Sequence, residues 1–158
     1  MGVDQIIDHY ALQPNPFGGW FKQNYVAQSP DGGRPLATVI YYLLTQDGPS
    51  CIPHRSGAES IHYFHMGSPI TVLTIDAKEK VQLQQLGSDV GAGQQLQLVV
   101  PPGTWKGLHL ESGSHAFISE AVVPGFLPED TELADATNFR SRFSSNWAQM
   151  RHYFGEKG

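Results

Sequence analysis

Short runs of β-branched and aromatic residues recur along the chain, separated by clusters of Gly, Pro, Asp and Ser. This pattern predicts strands at 21–27, 36–44, 59–65, 70–76, 81–86, 94–100, 105–110 and 115–123. The run Leu36-Ala37-Thr38-Val39-Ile40-Tyr41-Tyr42-Leu43-Leu44 has no polar face, which predicts a strand covered on both sides. Ser29-Pro30-Asp31-Gly32-Gly33 is a strong turn signal. Met66-Gly67-Ser68-Pro69 and Glu111-Ser112-Gly113-Ser114 read as hairpin turns. Helical periodicity is confined to the ends. Ile6, Ile7 and Tyr10 share a face behind Asp4, a candidate cap, and residues 143–154 read as one terminal helix. Roughly eight to ten short strands at this spacing predict an all-β sandwich or barrel.

Composition adjusts the picture in three ways. The 17 Gly and 11 Pro are spread along the 158 residues instead of pooling in a linker, so one domain over 1–158 is expected. A net charge of −5 without a basic block gives nucleic acid and anionic membranes no electrostatic footing. The longest apolar run is far short of the roughly 20 residues a spanning helix needs. Cys51 is the single cysteine, which excludes an internal disulfide framework and fits a reducing compartment. Asp4 and Asp8 interrupt any leader-like pattern at the N-terminus. The expectation is a cytoplasmic protein.

Candidate chemistry begins with the seven histidines. His62 and His65 are separated by an odd number of residues, so on a strand they face opposite ways and cannot share an ion without a bulge. His109 and His115 flank a turn, and His9 and His152 sit in the terminal helical segments. His54 and Glu59 form a better pair. Alternation from Glu59 puts Tyr63 and His65 on its face, and these three are expected to line an interior that His54 enters from the preceding segment. A carboxyl desolvated in such an interior can act as a general acid or base. The competing reading is a buried Glu59 satisfied by a tyrosine hydroxyl or backbone amides.

Several motifs carry a family resemblance. Pro53-His54-Arg55-Ser56-Gly57-Ala58-Glu59 followed by Gly67 resembles the first motif of the cupins. Gly93 followed by Pro101-Pro102-Gly103-Thr104-Trp105-Lys106 resembles the second. More narrowly, Asn15-Pro16-Phe17-Gly18-Gly19-Trp20-Phe21, Thr38 through Leu44, Glu59 through Gly67, Leu86-Gly87-Ser88-Asp89, Val99-Val100-Pro101 and Val123-Pro124-Gly125-Phe126 look, in that order, like a single-domain RmlC-like cupin family of unknown function. The resemblance implies a double-stranded β-helix, or jelly-roll, barrel with short N-terminal and C-terminal helices. Its core would cover about 12–133, with a helical extension over about 134–158. It also implies a homodimer.

Departures from the cupin pattern point to the chemistry. Ile52 stands where the first motif has its first histidine, and Lys106 stands at the later histidine position. His54, Glu59 and an amine make a poor trap for a divalent cation. The expectation is therefore no metal and no cofactor, with a degenerate site of His54, Glu59 and His65 as the alternative. Where the family shows His-Pro-Glu-Gly-Gly, this chain has Asn15-Pro16-Phe17-Gly18-Gly19, which makes the rim more apolar.

The resulting expectation is a metal-independent enzyme acting on a small molecule, an isomerase, epimerase, cyclase or lyase. His54, Glu59 and Lys106 would be catalytic, and Tyr42, Tyr63, His65, Trp105 and Gln97 would bind substrate. Metal-free cupins that epimerise sugar-nucleotide intermediates give a fold-level precedent. A metabolite-binding barrel without turnover and a metal-dependent cupin oxygenase are the alternatives.

Overall fold

The computed structural model describes residues 1–156. Helix α1 (Val3–Tyr10) leads into β1 (Gln13–Pro14), β2 (Trp20–Ala27), β3 (Ala37–Thr45), β4 (Ser50–Ser56), β5 (Glu59–Gly67) and β6 (Ile70–Ile75). The chain continues through β7 (Val81–Leu86), β8 (Gln97–Val100), β9 (Trp105–His109), β10 (His115–Val123) and β11 (Thr131–Leu133). It ends in α2 (Ala136–Arg142), α3 (Trp147–Met150) and a 3₁₀ turn, Arg151–Phe154.

The strands form two sheets, with orders β1-β2-β3-β10-β5-β8 and β11-β4-β9-β6-β7. From β3 onward the chain passes back and forth between them, a jelly roll. This overturns two expected hairpins. β5 and β6, and likewise β9 and β10, lie in opposite sheets. A hairpin at either turn is excluded because each of these strands already has a neighbour on both edges. The turn residues reverse the chain and hand it across the barrel. The true hairpin of this region is β6–β7, paired from Ile70↔Leu86 to Ile75↔Val81.

Between the sheets lies the main core, including Tyr42, Leu44, Val72, Leu98, Leu108 and Ile118. The outer face of the first sheet is covered by α1, where Ile6 is fully buried against Leu43 and Phe117. Residues 36–44 lack a polar face for this reason: Tyr42 and Leu44 pack inward, Leu43 outward under the helix. Asp4 lies in the first turn, where a carboxylate suits the helix dipole, and the N-cap is Gly2, whose amide donates to Gln5 Oε1 at 2.9 Å.

The outer face of the second sheet is covered by the C-terminal segment. Phe139, Phe143, Met150 and Tyr153 pack there on Leu73, Ile75 and Trp105. The expected single helix over 143–154 is broken into short pieces. Ser144, Ser145 and Asn146 are weak helix formers that bond readily to nearby backbone, and the break lets Phe143 and Tyr153 both reach the sheet. α2 is capped by Asp135, whose Oδ1 accepts from Asn138 N at 2.8 Å. No helix among the described residues is long and apolar enough to cross a membrane.

Candidate functional site

At one end of the barrel the sheets part around a cavity of about 310 Å³. Much of its wall is apolar: Phe17, Phe21, Ile40, Tyr42, Leu108 and Phe126 all line it. Asn15, Pro16 and Phe17 come from the loop between β1 and β2, which is pinned in several places. Ile52 N donates to Phe17 O at 2.8 Å, and the Tyr42 hydroxyl donates to Gly18 O. Gly18 has φ +111°, and a Cβ there would lie 2.1 Å from Ser50 O. Gly18→Ala should therefore displace this loop and cost about 1–3 kcal/mol or more, read as a lowered thermal midpoint.

The polar part of the wall is assembled from both sheets. On β10, Glu120 is directly opposite His62 of β5, and Val122 is opposite Ser60. Strand neighbours paired in this way point to the same face, so Ser60, His62 and Glu120 all face inward. From the other sheet, Lys106 of β9 pairs with His54 of β4. Three steps along β4 (51 to 54) span two along β9 (108 to 106), a bulge that breaks strict alternation. As a result Cys51 and His54, an odd number apart, both line the cavity.

Lys106 Nζ donates to Ser60 Oγ at 2.7 Å and to Glu120 Oε1, and lies 3.5 Å from His62 Nε2. Lys106 is 5% exposed and Glu120 8%, so this is a buried ion pair. His62 is wholly buried, and its Nδ1 has no hydrogen-bond partner; Glu120 Oε2 lies 3.7 Å away. His54 Nδ1 lies 2.9 Å from Ile52 O. A carbonyl can only accept, so Nδ1 carries the proton of the neutral ring and Nε2 is left as its acceptor.

These environments set the charge states. Burial raises the Glu120 carboxyl, but the Lys106 charge, the two histidines and the lysine hydrogen bond outweigh it and bring the group down to about 2. Burial, reinforced by Lys106, lowers His54 to about 4. Burial also lowers His62, to about 3, with Glu120 pulling the other way. Desolvation lifts the Cys51 thiol to about 12, so it is an inert, protonated wall group. At neutral pH the site holds one carboxylate paired with one ammonium, and two neutral imidazoles.

Of the residues expected from the sequence, His54, Lys106 and Tyr42 line this cavity. Glu59, Tyr63 and His65 do share a face, but it is the outer one. Their inward-facing neighbours are Ser60 and His62, and Glu59 pairs with the exposed Val123. His65 is exposed, bonds to Ser119 Oγ and packs against Tyr41 and Phe117. Gln97 pairs with Tyr63 on that outer face and is exposed. Trp105 precedes the inward Lys106 and so points outward, edge-on to Phe139 at 5.0 Å and beneath the Arg55 guanidinium. None of these five reaches the cavity.

Sequence reasoning missed Ser60, His62 and Glu120. Glu120 did leave a signal: it sits in phase with Ala116, Ile118 and Val122 on an otherwise apolar face of its strand, where a carboxylate must be paired. The cluster does not fit a divalent cation. Lys106 Nζ occupies the space among Glu120, Ser60 and His62 where a metal would have to sit. The alternative set of His54, Glu59 and His65 is split between two faces of the barrel wall. Among the described residues no group of three or more His, Cys, Asp or Glu side chains is arranged to hold a metal ion.

A two-sheet jelly roll with a ligand-sized cavity between its sheets is the architecture of the cupins. Residues 4–134 match the family described as Cupin superfamily (DUF985), and the chain belongs to that family. It is 33% identical over 147 residues to the uncharacterized protein YML079W of Saccharomyces cerevisiae, covering 81% of this chain and 73% of that one. Among solved structures, protein SO0799 from Shewanella oneidensis is similar with a TM-score of 0.90 at 27% identity, covering 96% of each chain. A hypothetical protein from Leishmania major has a TM-score of 0.86 at 22% identity, covering 96% of this chain and 98% of that one. Oxalate decarboxylase from Bacillus subtilis shares the fold, with a TM-score of 0.60 at 14% identity over 87% of this chain and 36% of that one.

Proposed function

We propose that this protein is a small-molecule enzyme that performs metal-independent acid–base chemistry in the barrel cavity. The observation that carries the reading is a neutral imidazole and a buried ion pair side by side in a largely apolar wall. His54, its Nδ1 proton held by Ile52 O, offers Nε2 as a base at neutral pH. In the proposed step a C–H bond next to a carbonyl breaks, its proton passes to His54 Nε2, and the electron pair moves onto the carbonyl oxygen. Lys106 stabilises that oxyanion, which low surrounding polarity makes effective. Return of the proton to the opposite face or to another atom gives an epimerase or isomerase outcome. Departure of a β-substituent with the enolate's electron pair, the proton going to that leaving group, gives a lyase; attack of the enolate carbon on an internal electrophile, which takes up the proton, gives a cyclase. Glu120 is the carboxylate of this cavity in place of Glu59, but where Glu59 was expected to act as a general acid or base, Glu120 holds Lys106 in place and balances its charge.

The test is deuterium incorporation from D₂O into a panel of small ketones and aldehydes with acidic α-hydrogens, read by mass spectrometry. His54→Asn and Lys106→Met should each slow exchange by about 10²–10⁴-fold, and Glu59→Gln on the outer face should leave it unchanged. Undiminished exchange in His54→Asn would remove this reading. A second reading is a barrel that binds a metabolite without turnover. It is favoured by the fact that Lys106 Nζ already has Ser60 and Glu120 as acceptors and His62 nearby. A compound that is held in the cavity and recovered with no exchange of its α-hydrogens would favour it.

A further inference from the structure

Taking the cavity as a small-molecule site, as just proposed, we infer that its ligand is an uncharged molecule with an aromatic or alicyclic body and one carbonyl or hydroxyl head. Phosphorylated and nucleotide-linked compounds are excluded from it. The first argument is charge. Lys106 is the one cationic side chain among the described lining residues, and its charge is already matched by Glu120 within the same wall. A phosphate entering the cavity would meet no uncompensated cation and would lie near a carboxylate. Burying a dianion on those terms is strongly unfavourable.

The arginines close to the lining segments do not alter this balance. Arg34 is committed to Gly125 O at 2.7 Å and to Asp130 at 3.0 Å. Arg55, the neighbour of His54, is bonded to Glu132 at 2.8 Å and stacks on the outward-facing Trp105. Both guanidiniums are therefore occupied by partners other than a ligand.

The second argument is shape and polarity. Phe17, Phe21, Tyr42 and Phe126 present rings to the space, with Ile40 and Val122 between them. The volume of about 310 Å³ is at the lower end of the roughly 300–1,000 Å³ found for ligand sites, enough for a ring system with short substituents. One polar group on that body would face Lys106 Nζ and His54, and the remainder would be in apolar contact.

A matched pair of probes tests this: 4-methylacetophenone and the phosphate monoester of 4-(hydroxymethyl)acetophenone, with binding followed by titration calorimetry at pH 7. The neutral ketone should bind at least ten-fold more tightly than the phosphate. Glu120→Gln uncovers the Lys106 charge and should shrink or reverse that ratio by at least ten-fold. Should Glu120→Gln not fold, Phe21→Arg provides the second variant: a guanidinium in the wall should raise affinity for the phosphate by at least ten-fold. Phosphate binding as tight as, or tighter than, the ketone in the unaltered protein would overturn the inference. So would failure of both probes to bind. The readout is affinity alone. Ketone binding without deuterium exchange would retain the ligand class and discard the catalytic reading, and exchange confined to phosphorylated carbonyls would do the reverse.

Discussion

Glu120→Ala should lower the unfolding free energy by about 3–5 kcal/mol, read from urea denaturation at pH 7. The truncation removes the carboxylate opposite Lys106 and leaves the ammonium of a residue that is only 5% exposed, with Ser60 Oγ as its remaining close acceptor. An uncompensated charge at that depth loses its hydration without recovering it from a partner. The paired substitution Lys106→Met with Glu120→Leu should behave quite differently. With both charges gone and similar volume kept, its stability should lie within about 1–2 kcal/mol of the original protein or above it. A loss below about 1 kcal/mol for Glu120→Ala would mean that the pair is hydrated, and the low-polarity environment invoked for oxyanion stabilisation would go with it. The double variant also separates fold from chemistry: it should remain folded while exchanging no α-hydrogens.

Most of the scaffold is legible in the residues because its signals are local. Val81–Leu86 and His115–Val123 have the bounds that turn residues and β-branched runs mark for them. β4 is harder to see. Pro53 argues against a strand interior, and the bulge between Cys51 and His54 breaks the period of two that alternation arguments need. The two shortest strands, Gln13–Pro14 and Thr131–Leu133, have too few residues to show a period. Sheet membership is also invisible locally, since the turns at Gly67 and Gly113 suit a hairpin and a cross-barrel arch equally well.

The site was half legible for a related reason. Lys106 follows a Pro-x-Gly turn that places it by resemblance, and His54 lies at a motif position. The face of β5 could not be chosen from its own residues, because both faces carry polar and apolar groups: Glu59, Ile61, Tyr63 and His65 against Ser60, His62 and Phe64. What decides it is the partner strand. Val122 and Glu120 of β10 line the cavity, so their partners Ser60 and His62 face inward and Glu59 cannot. A parity that depends on a strand some sixty residues away is a tertiary fact.

Acid should unfold this protein steeply, and His54 and His62, the two histidines lowered furthest by burial, contribute most to that loss. His54 and His62 are held at about 4 and about 3, against 6.5 for an ordinary imidazole, so each folds in its neutral form. Above pH 6.5 folded and unfolded chains bind the same protons at these sites, and their contribution is fully present. Below pH 6.5 the unfolded chain takes up protons that the folded one refuses, so stability falls by up to about 1.4 kcal/mol per pH unit for each histidine. That loss continues to about pH 4 for His54 and about pH 3 for His62. Glu120, lowered from 4.5 to about 2, adds a loss of the same sign below pH 4.5. Urea denaturation should therefore be nearly flat from pH 8 to 7 and lose several kcal/mol between pH 6 and 4.5. His62→Phe should reduce the slope over that interval by up to about 1.4 kcal/mol per pH unit. A flat profile down to pH 4.5 would show that the imidazoles are hydrated or charged. The same neutrality links stability to the proposed chemistry: a base that stays unprotonated to about pH 4 predicts that deuterium exchange, wherever the protein is still folded, has no acid limb near pH 6.5.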